Sequence, residues 1–169
     1  TANEWPTPSI VIEIFNLKLD YNAPVENRVI YVGRLAKHKN VDQIIKALSR
    51  IKKAPKLIII GNGPELKYLK YLSVKLNVNC DFLGNVTEEE KYIAILRSKF
   101  MIFPSCFEGF GIPPSEALAM GRPCVTSDLE IFKNNYGSSL DYFKTNDIES
   151  LRNKIIKLKT WFFFQKCRW

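Results

Sequence analysis

Two glutamates, Glu108 and Glu116, are separated by seven residues in the stretch CFEGFGIPPSEALAMG, which spans residues 106–121. A pair of carboxylates can exchange protons with a substrate, or it can accept hydrogen bonds from sugar hydroxyls. The residues between them favour the second use. Two glycines let the backbone approach a ligand closely, and two prolines begin a helix and fix its direction. The stretch therefore predicts a binding segment rather than an acid–base pair.

The prolines place Glu116 in the first turn of the predicted helix, where the helix dipole favours a carboxylate. There it can accept hydrogen bonds from hydroxyl groups, and the free amides of the same helix end could hold a phosphate. A glutamate in a first turn can also do no more than complement the dipole. The clustering of Glu108, the glycines and the prolines around it favours a role in binding.

A second group lies in YVGRLAKHKN, residues 31–40, at a predicted strand-to-helix turn. Gly33 lets the backbone turn sharply, and Arg34 and Lys39 can project over the end of a sheet. A guanidinium fork and a compact ammonium converging there would suit a diphosphate. The alternative is an ordinary basic loop in solvent.

A third group is the glycine turn IIIGNGPE, residues 58–65, in which Gly61 and Gly63 follow an apolar run. The amides of such a turn could face an anion. The spacing lacks the full GxGxxG pattern of dinucleotide-binding folds, so a tight strand-to-helix turn explains it equally well.

Metal chemistry is not predicted. The sequence contains no DxD pair, a single histidine (His38) and four scattered cysteines without a CxxC pair. Neither a zinc site nor a disulfide framework is expected, and unpaired cysteines fit a reducing, cytoplasmic location. The sequence shows no signal-peptide pattern and no apolar run of membrane-spanning length.

The formal net charge of +8 suggests an anionic partner or simply a solvated basic surface. A nucleic acid, an acidic membrane surface and a phosphorylated small molecule would each satisfy it. The sequence has no aromatic-basic RNA motif and no helix-turn-helix pattern, so a nucleic-acid partner is not predicted.

Predicted strands and helices alternate along the chain. The predicted strands are IVIEIF (10–15), RVIYVG (28–33), KLIIIG (56–61), CDFLG (80–84), FMIFPS (100–105), PCVTS (123–127) and SSLDYF (138–143). The predicted helices are residues 41–51, 64–77, 87–98, 114–121 and 147–159, with Asn40 as a cap, Pro64 in a first turn and Thr87 with Glu90 as a capping box. Residues 128–137 carry no predicted element.

This alternation predicts an α/β domain with a Rossmann-like, doubly wound parallel sheet and helices on both faces. Sheets of this kind bind ligands beyond the carboxyl ends of their strands. All three groups of candidate residues fall at such ends. We therefore expect one site there.

In this order the motifs resemble the C-terminal, nucleotide-sugar-binding half of a GT-B glycosyltransferase, specifically glycosyltransferase family 4. The most specific element is EGFGIPPSE followed by ALAMGRPCVTS, which resembles the E-x7-E signature of that family. VGRLAKHKN resembles its GRL…K motif, IIGNGPE its glycine turn, and CDFLGNVTEEEKYIAILRSKFMIFPS the segment between them. The resemblance covers residues 29–159.

The resemblance implies catalytic roles for Arg34, Lys39 and Glu108. The two basic residues would hold the diphosphate and stabilise the charge of the leaving group. Glu108 would contact the transferred sugar, and Glu116 would bind the ribose hydroxyls. The implied donor-binding residues are Gly33, Gly61, Gly63, Phe82, Leu83, Phe110, Gly111, Ile112 and Glu116, with Phe82 and Leu83 near the base.

The same resemblance implies a retaining hexosyltransferase that needs no metal and no cofactor besides its nucleotide-diphosphate-sugar donor. The resemblance slightly favours GDP-mannose as the donor and leaves UDP-sugars open. It implies that the acceptor is a glycan or a lipid-linked sugar of polysaccharide biosynthesis. Such enzymes also have an N-terminal acceptor domain, so we expect this chain to bind donor without transferring sugar alone. A non-catalytic nucleotide-sugar subunit or sensor is the alternative.

The resemblance divides the chain into three parts. Residues 1–24 would be a remnant of the inter-domain connection, residues 25–160 the nucleotide-sugar-binding domain, and residues 161–169 an aromatic and basic tail. The apolar tail would pack against an N-terminal domain that this sequence does not include, or it would make peripheral contact with the cytoplasmic face of a membrane.

Overall fold

The structure is a computed structural model that describes residue 17 and residues 19–166, with side chains described as far as residue 160. The strand predicted at residues 10–15, most of the predicted linker and the side chains of the aromatic tail therefore lie outside the described residues. Among the described helices, none combines the length and apolar character needed to cross a membrane.

Among the described residues, six parallel strands form one sheet. They are β1 (Arg28–Val32), β2 (Lys56–Ile60), β3 (Cys80–Gly84), β4 (Met101–Phe103), β5 (Cys124–Ser127) and β6 (Asp141–Phe143), in the order β3-β2-β1-β4-β5-β6. The strand order changes direction between β1 and β4, so right-handed crossovers place helices on opposite faces. The predicted Rossmann-like α/β fold is confirmed, and the reversal lies beside β1 and β4.

One helix follows each strand. The helices are α1 (Val41–Leu48), α2 (Leu66–Lys75), α3 (Glu88–Leu96), α4 (Ile112–Ala119), α5 (Glu130–Tyr136) and α6 (Ile148–Lys166). Short 3-10 turns occupy Lys37–Lys39 and Gly137–Ser139. Helix α6 returns to contact α1.

The core is built on the central strands. Ile30 and Ile59 are fully buried, because strands covered on both faces have no solvent side. Towards the carboxyl edge the ring of Phe103 stacks on Tyr31, with centroids 5.9 Å apart, and meets the edge of Phe132 at 6.0 Å. These rings support the loops that carry the candidate site.

Several local predictions are corrected by the structure. Asn40 occupies the N-cap position of α1 in a left-handed conformation, but its side chain does not cap; it donates to Asn146 Oδ1 at 3.0 Å. Pro64 precedes α2 rather than lying in its first turn, since the helix begins at Leu66. The segment 128–137, left without an element, contains α5. The capping box of Thr87 and Glu90 is confirmed.

Candidate functional site

The loops at the carboxyl edge are joined by hydrogen bonds across the sheet. The amide of Cys106 donates to the carbonyl of His38 at 2.9 Å, and the Ser105 hydroxyl donates to the same carbonyl at 3.2 Å. On the other side, the amide of Gly61 donates to the carbonyl of Gly84 at 2.7 Å. The loops after β1 to β4 therefore form one connected edge.

Lys39 and Glu108 meet at the centre of this edge. The Lys39 ammonium donates to Glu108 Oε1, and the two side chains are only 16% and 10% exposed. The same ammonium lies 5.6 Å from the centroid of the Phe103 ring, an additional favourable contact. The structure thus brings together Lys39, predicted to bind the diphosphate, and Glu108, predicted to contact the sugar.

Arg34 lies at the same edge but, unlike Lys39, it is exposed to solvent. Its backbone carbonyl accepts a hydrogen bond from the Tyr31 hydroxyl at 3.0 Å. Burial, together with the nearby charge of Glu108, raises the pKa of Tyr31 well above its ordinary value. Tyr31 therefore stays protonated and keeps the backbone that carries Arg34 in place, while the guanidinium remains accessible.

The glycine turn after β2 packs against the turn after β1. Gly61 has a φ of +125°, and a Cβ there would lie 2.0 Å from the carbonyl oxygen of Gly33. The Gly33 amide donates to Ile60 at 3.0 Å, and the Gly63 amide donates to the side chain of Asn62 at 2.8 Å. These amides are used inside the protein, so the geometry accounts for the glycines as a close-packed turn. Their role in donor binding stays a prediction.

Gly111 is held by two aromatic residues of α5. Its φ is +81°, and a Cβ on it would lie 2.4 Å from Cε1 of Phe132. The Gly111 carbonyl accepts from the Tyr136 hydroxyl at 2.8 Å. Its neighbours Phe110 and Ile112 are 41% and 48% exposed, so this loop presents apolar side chains beside a fixed backbone.

Glu116 lies one turn deeper in the helix than predicted. Helix α4 begins at Ile112, and its first turn contains no acidic residue, so dipole complementation in a first turn does not explain Glu116. The residue is only 5% exposed. A buried carboxylate requires a partner, and its partner is a lysine from another helix.

That partner is Lys91 on α3, whose ammonium lies 2.7 Å from Glu116 Oε1, while the Tyr92 hydroxyl donates to the same oxygen at 3.3 Å. Burial lowers the pKa of Lys91, but hydrogen bonds to Glu116 and Glu88 outweigh it and raise that pKa to about 12. Burial and the Glu116 charge raise the pKa of Tyr92 to about 12. Neither Lys91 nor Tyr92 was predicted as a site residue, because no motif or spacing links α3 to α4.

The residues predicted near the base lie on β3. Phe82 is partly buried, with the Lys70 ammonium 5.8 Å from its ring centroid, and Leu83 is 47% exposed. Strand β3 is the outermost strand of the sheet and lies two strands from β1. The predicted site residues are therefore spread along the carboxyl edge from β3 to β4 rather than forming one cluster.

Metal ligands are not gathered in the described part of the chain, where no group of three or more His, Cys, Asp or Glu is arranged to hold an ion. The carboxyl edge carries the side chains of Lys39 and Arg34, whose positive charges could meet an anionic ligand.

A concavity lies at the opposite, amino edge of the sheet, between the end of α1 and α6. Its volume is about 670 Å³, and it is lined by Arg50, Ile51, Lys52, Lys99, Arg152, Ile156, Lys159 and Thr160. Five basic side chains therefore line this concavity, at the edge opposite the candidate site.

Comparison with known proteins identifies the family. The family model for Glycosyl transferases group 1 matches residues 20–160. The O-antigen chain mannosyltransferase RfbU of Salmonella typhimurium is 31% identical over 133 residues, which cover 77% of this chain and 38% of that protein. Across four curated relatives the chain matches between 33% and 41% of their length.

Solved structures share the fold. The catalytic domain of cholesterol-alpha-glucosyltransferase from Helicobacter pylori has a TM-score of 0.71 at 25% identity, covering 78% of this chain and 84% of that one. S. aureus TarM has a TM-score of 0.74 at 20% identity, covering 81% of this chain and 29% of that one. The architecture is that of GT-B glycosyltransferases.

Proposed function

The chain belongs to the Glycosyl transferases group 1 family, and on that premise we propose that it is the C-terminal, donor-binding domain of a glycosyltransferase family 4 enzyme. The enzyme would transfer a hexosyl group from a nucleotide-diphosphate sugar with retention of configuration. The observation that carries this proposal is the meeting of Lys39 and Glu108 beside the reversal of strand order.

The diphosphate would bind at Arg34 and Lys39. The exposed guanidinium is free to form a forked contact, and the lysine is poised on Phe103 within reach of the same space. As the bond from the sugar to the diphosphate breaks, negative charge grows on the leaving oxygen. Two fixed cations would stabilise that charge without a metal ion.

The sugar would bind beside Glu108. With Lys39 turned to the diphosphate, the Glu108 carboxylate could accept hydrogen bonds from sugar hydroxyls. The fixed backbone at Gly111 and the exposed side chains of Phe110 and Ile112 would form the adjoining wall. Because each glutamate is paired with a lysine, hydrogen bonding fits them better than proton exchange.

The nucleoside would extend from Glu116 towards β3. Glu116 would accept from the ribose hydroxyls, and Phe82 and Leu83 would flank the base. RfbU is named a mannosyltransferase and the TarM structure holds UDP, so both GDP-mannose and UDP-sugars are donors to test. The acceptor, a glycan or a lipid-linked sugar in this proposal, would bind to the part of the protein beyond this chain.

Thermal-shift titration of the 169-residue chain with GDP-mannose, UDP-glucose, UDP-N-acetylglucosamine and ADP-glucose tests the proposal. Ligand that binds only the folded state raises the melting temperature in proportion to the logarithm of its concentration. We expect one nucleotide class to raise it and the others to have little effect. No rise with any of the four at millimolar concentration would contradict the proposal.

A further inference from the structure

Lys91 and Glu116 form an enclosed ion pair between α3 and α4, with side chains 12% and 7% exposed. We propose that Lys91 is a positioning residue, which fixes the Glu116 carboxylate so that one of its oxygens is presented to a vicinal diol, the ribose of a nucleoside diphosphate. This inference rests on the proposed function. It adds a residue and a geometric reason for preferring ribose over deoxyribose.

The contacts of the carboxylate are one-sided. Among the described residues, both side-chain contacts, from Lys91 at 2.7 Å and from Tyr92 at 3.3 Å, fall on Oε1. An ionised carboxylate can accept at both oxygens. Oε2 therefore keeps its capacity to accept from a hydroxyl, while the grip on Oε1 prevents the group from rotating away.

The lysine is itself fixed from two sides. Its ammonium also donates to Glu88 Oε2 at 2.6 Å and lies 4.6 Å from the Tyr92 ring centroid. The Glu88 side chain is 62% exposed, whereas that of Glu116 is 7% exposed. The Lys91 ammonium therefore lies between one carboxylate on the solvent side and one on the enclosed side. The N-terminus of helix α3 is capped by the Thr87–Glu90 capping box. The carboxylate is thus held by a residue of a capped helix rather than by a loop.

The test compares ribo- and deoxyribonucleotides, because a purely structural defect would weaken both alike. Dissociation constants for UDP and 2′-deoxy-UDP, and for GDP and 2′-deoxy-GDP, are measured by calorimetry on the unchanged chain. A hydrogen bond to a charged acceptor corresponds to a preference of about tenfold or more for the ribonucleotide. We expect that preference in the unchanged chain.

In Lys91→Met the preference should fall to within about twofold of unity, whereas Lys91→Arg, which can still donate charge-assisted hydrogen bonds to Glu116, should keep more of it than Lys91→Met does. Lys46→Met is the control, since Lys46 also pairs with a carboxylate, that of Asp42 on the same helix α1, outside the site. Its ribose preference should be unchanged. If Lys91→Met does not fold, Lys91→Gln is measured by the same criterion.

The outcomes separate the two proposals. A full ribose preference in Lys91→Met or its substitute overturns the role of Lys91. Equal affinity of the unchanged chain for ribo- and deoxyribonucleotides also overturns it, while leaving nucleotide binding, and thus the proposed function, standing. Failure of the unchanged chain to bind any of the four nucleotides overturns both.

Discussion

The ammonium of Lys39 pairs with the carboxylate of Glu108, 69 positions further along the chain, and so connects the loop after β1 to the loop after β4. The pair neutralises charge at the centre of the candidate site. It also sets the two groups side by side at the point where a diphosphate joins a sugar in the proposed complex. A ligand that occupies this site must exchange the pair for contacts of its own.

Breaking this pair on one side should destabilise the fold. In Lys39→Met the Glu108 carboxylate, in a side chain only 10% exposed, loses its partner, and we expect a loss of about 1–3 kcal/mol in the free energy of unfolding. Glu108→Gln should cost less, because the lysine can turn to solvent. Urea denaturation of both single variants and of the double variant measures this.

The double variant should be more stable than the sum of the single losses predicts, since neither charge is left unpaired. We expect a coupling energy of about 1 kcal/mol or more. Strictly additive losses would show that the two groups do not interact in solution.

Gly111→Ala should be strongly destabilising. The methyl group would meet Phe132 at 2.4 Å, and the φ of +81° disfavours any L side chain. Overpacking and the left-handed conformation together predict a loss of about 2–4 kcal/mol. Gly109→Ala is the matched control, because a Cβ there meets nothing within 4 Å.

Chemical denaturation of these two variants decides the point. We expect Gly109→Ala to stay within about 0.5 kcal/mol of the unchanged chain. Equal stabilities for the two variants would mean that the contact of Gly111 with α5 is not formed.

Asp128 should make stability depend on acid pH. The Thr145 hydroxyl donates to its carboxylate at 2.6 Å and the Thr145 amide at 2.9 Å, and these bonds lower its pKa below 3.8. Because the folded-state pKa is depressed, the stabilisation is present above that value and is lost as the pH falls. We therefore expect the link between the loops after β5 and β6 to weaken in acid.

Unfolding free energies of the unchanged chain and of Asp128→Asn, measured between pH 7 and pH 2, test this. The advantage of the aspartate should be constant above about pH 5 and should vanish as the carboxylate is protonated. If the difference in unfolding free energy between the two proteins were the same from pH 7 to pH 2, the ionised carboxylate of Asp128 would not contribute to stability.

The fold could be predicted because its strands carry an unambiguous pattern. Continuous apolar runs such as residues 57–60, separated by amphipathic helices, are typical of a parallel sheet covered on both faces. Helix α5 was missed, since Glu130–Tyr136 is short and ends in polar residues and a glycine. Its structure depends on Phe132 and Tyr136 reaching Gly111, a tertiary contact that local sequence does not encode.

The site could be predicted only in part for the same reason. The motifs placed Lys39 and Glu108 at the carboxyl edge, but their pairing follows from β1 and β4 being neighbours in the sheet. Nothing in the spacing of TEEEK indicated that Lys91 reaches Glu116 on another helix. Glu116 itself was placed one turn too early, because the helix was predicted to start at the prolines and begins at Ile112.

The central claim is that a nucleoside diphosphate binds at the carboxyl edge through Arg34, and not at the basic amino edge. Calorimetric titration of UDP and GDP into the unchanged chain, Arg34→Ala and Arg50→Ala compares the two directly. Both arginines are exposed, so neither change should alter the melting temperature by more than a degree or two.

Arg34→Ala should weaken binding of the preferred nucleotide at least tenfold, about 1.4 kcal/mol, whereas Arg50→Ala should leave it unchanged. Unaltered affinity in Arg34→Ala, or an equal loss in Arg50→Ala, would contradict the account.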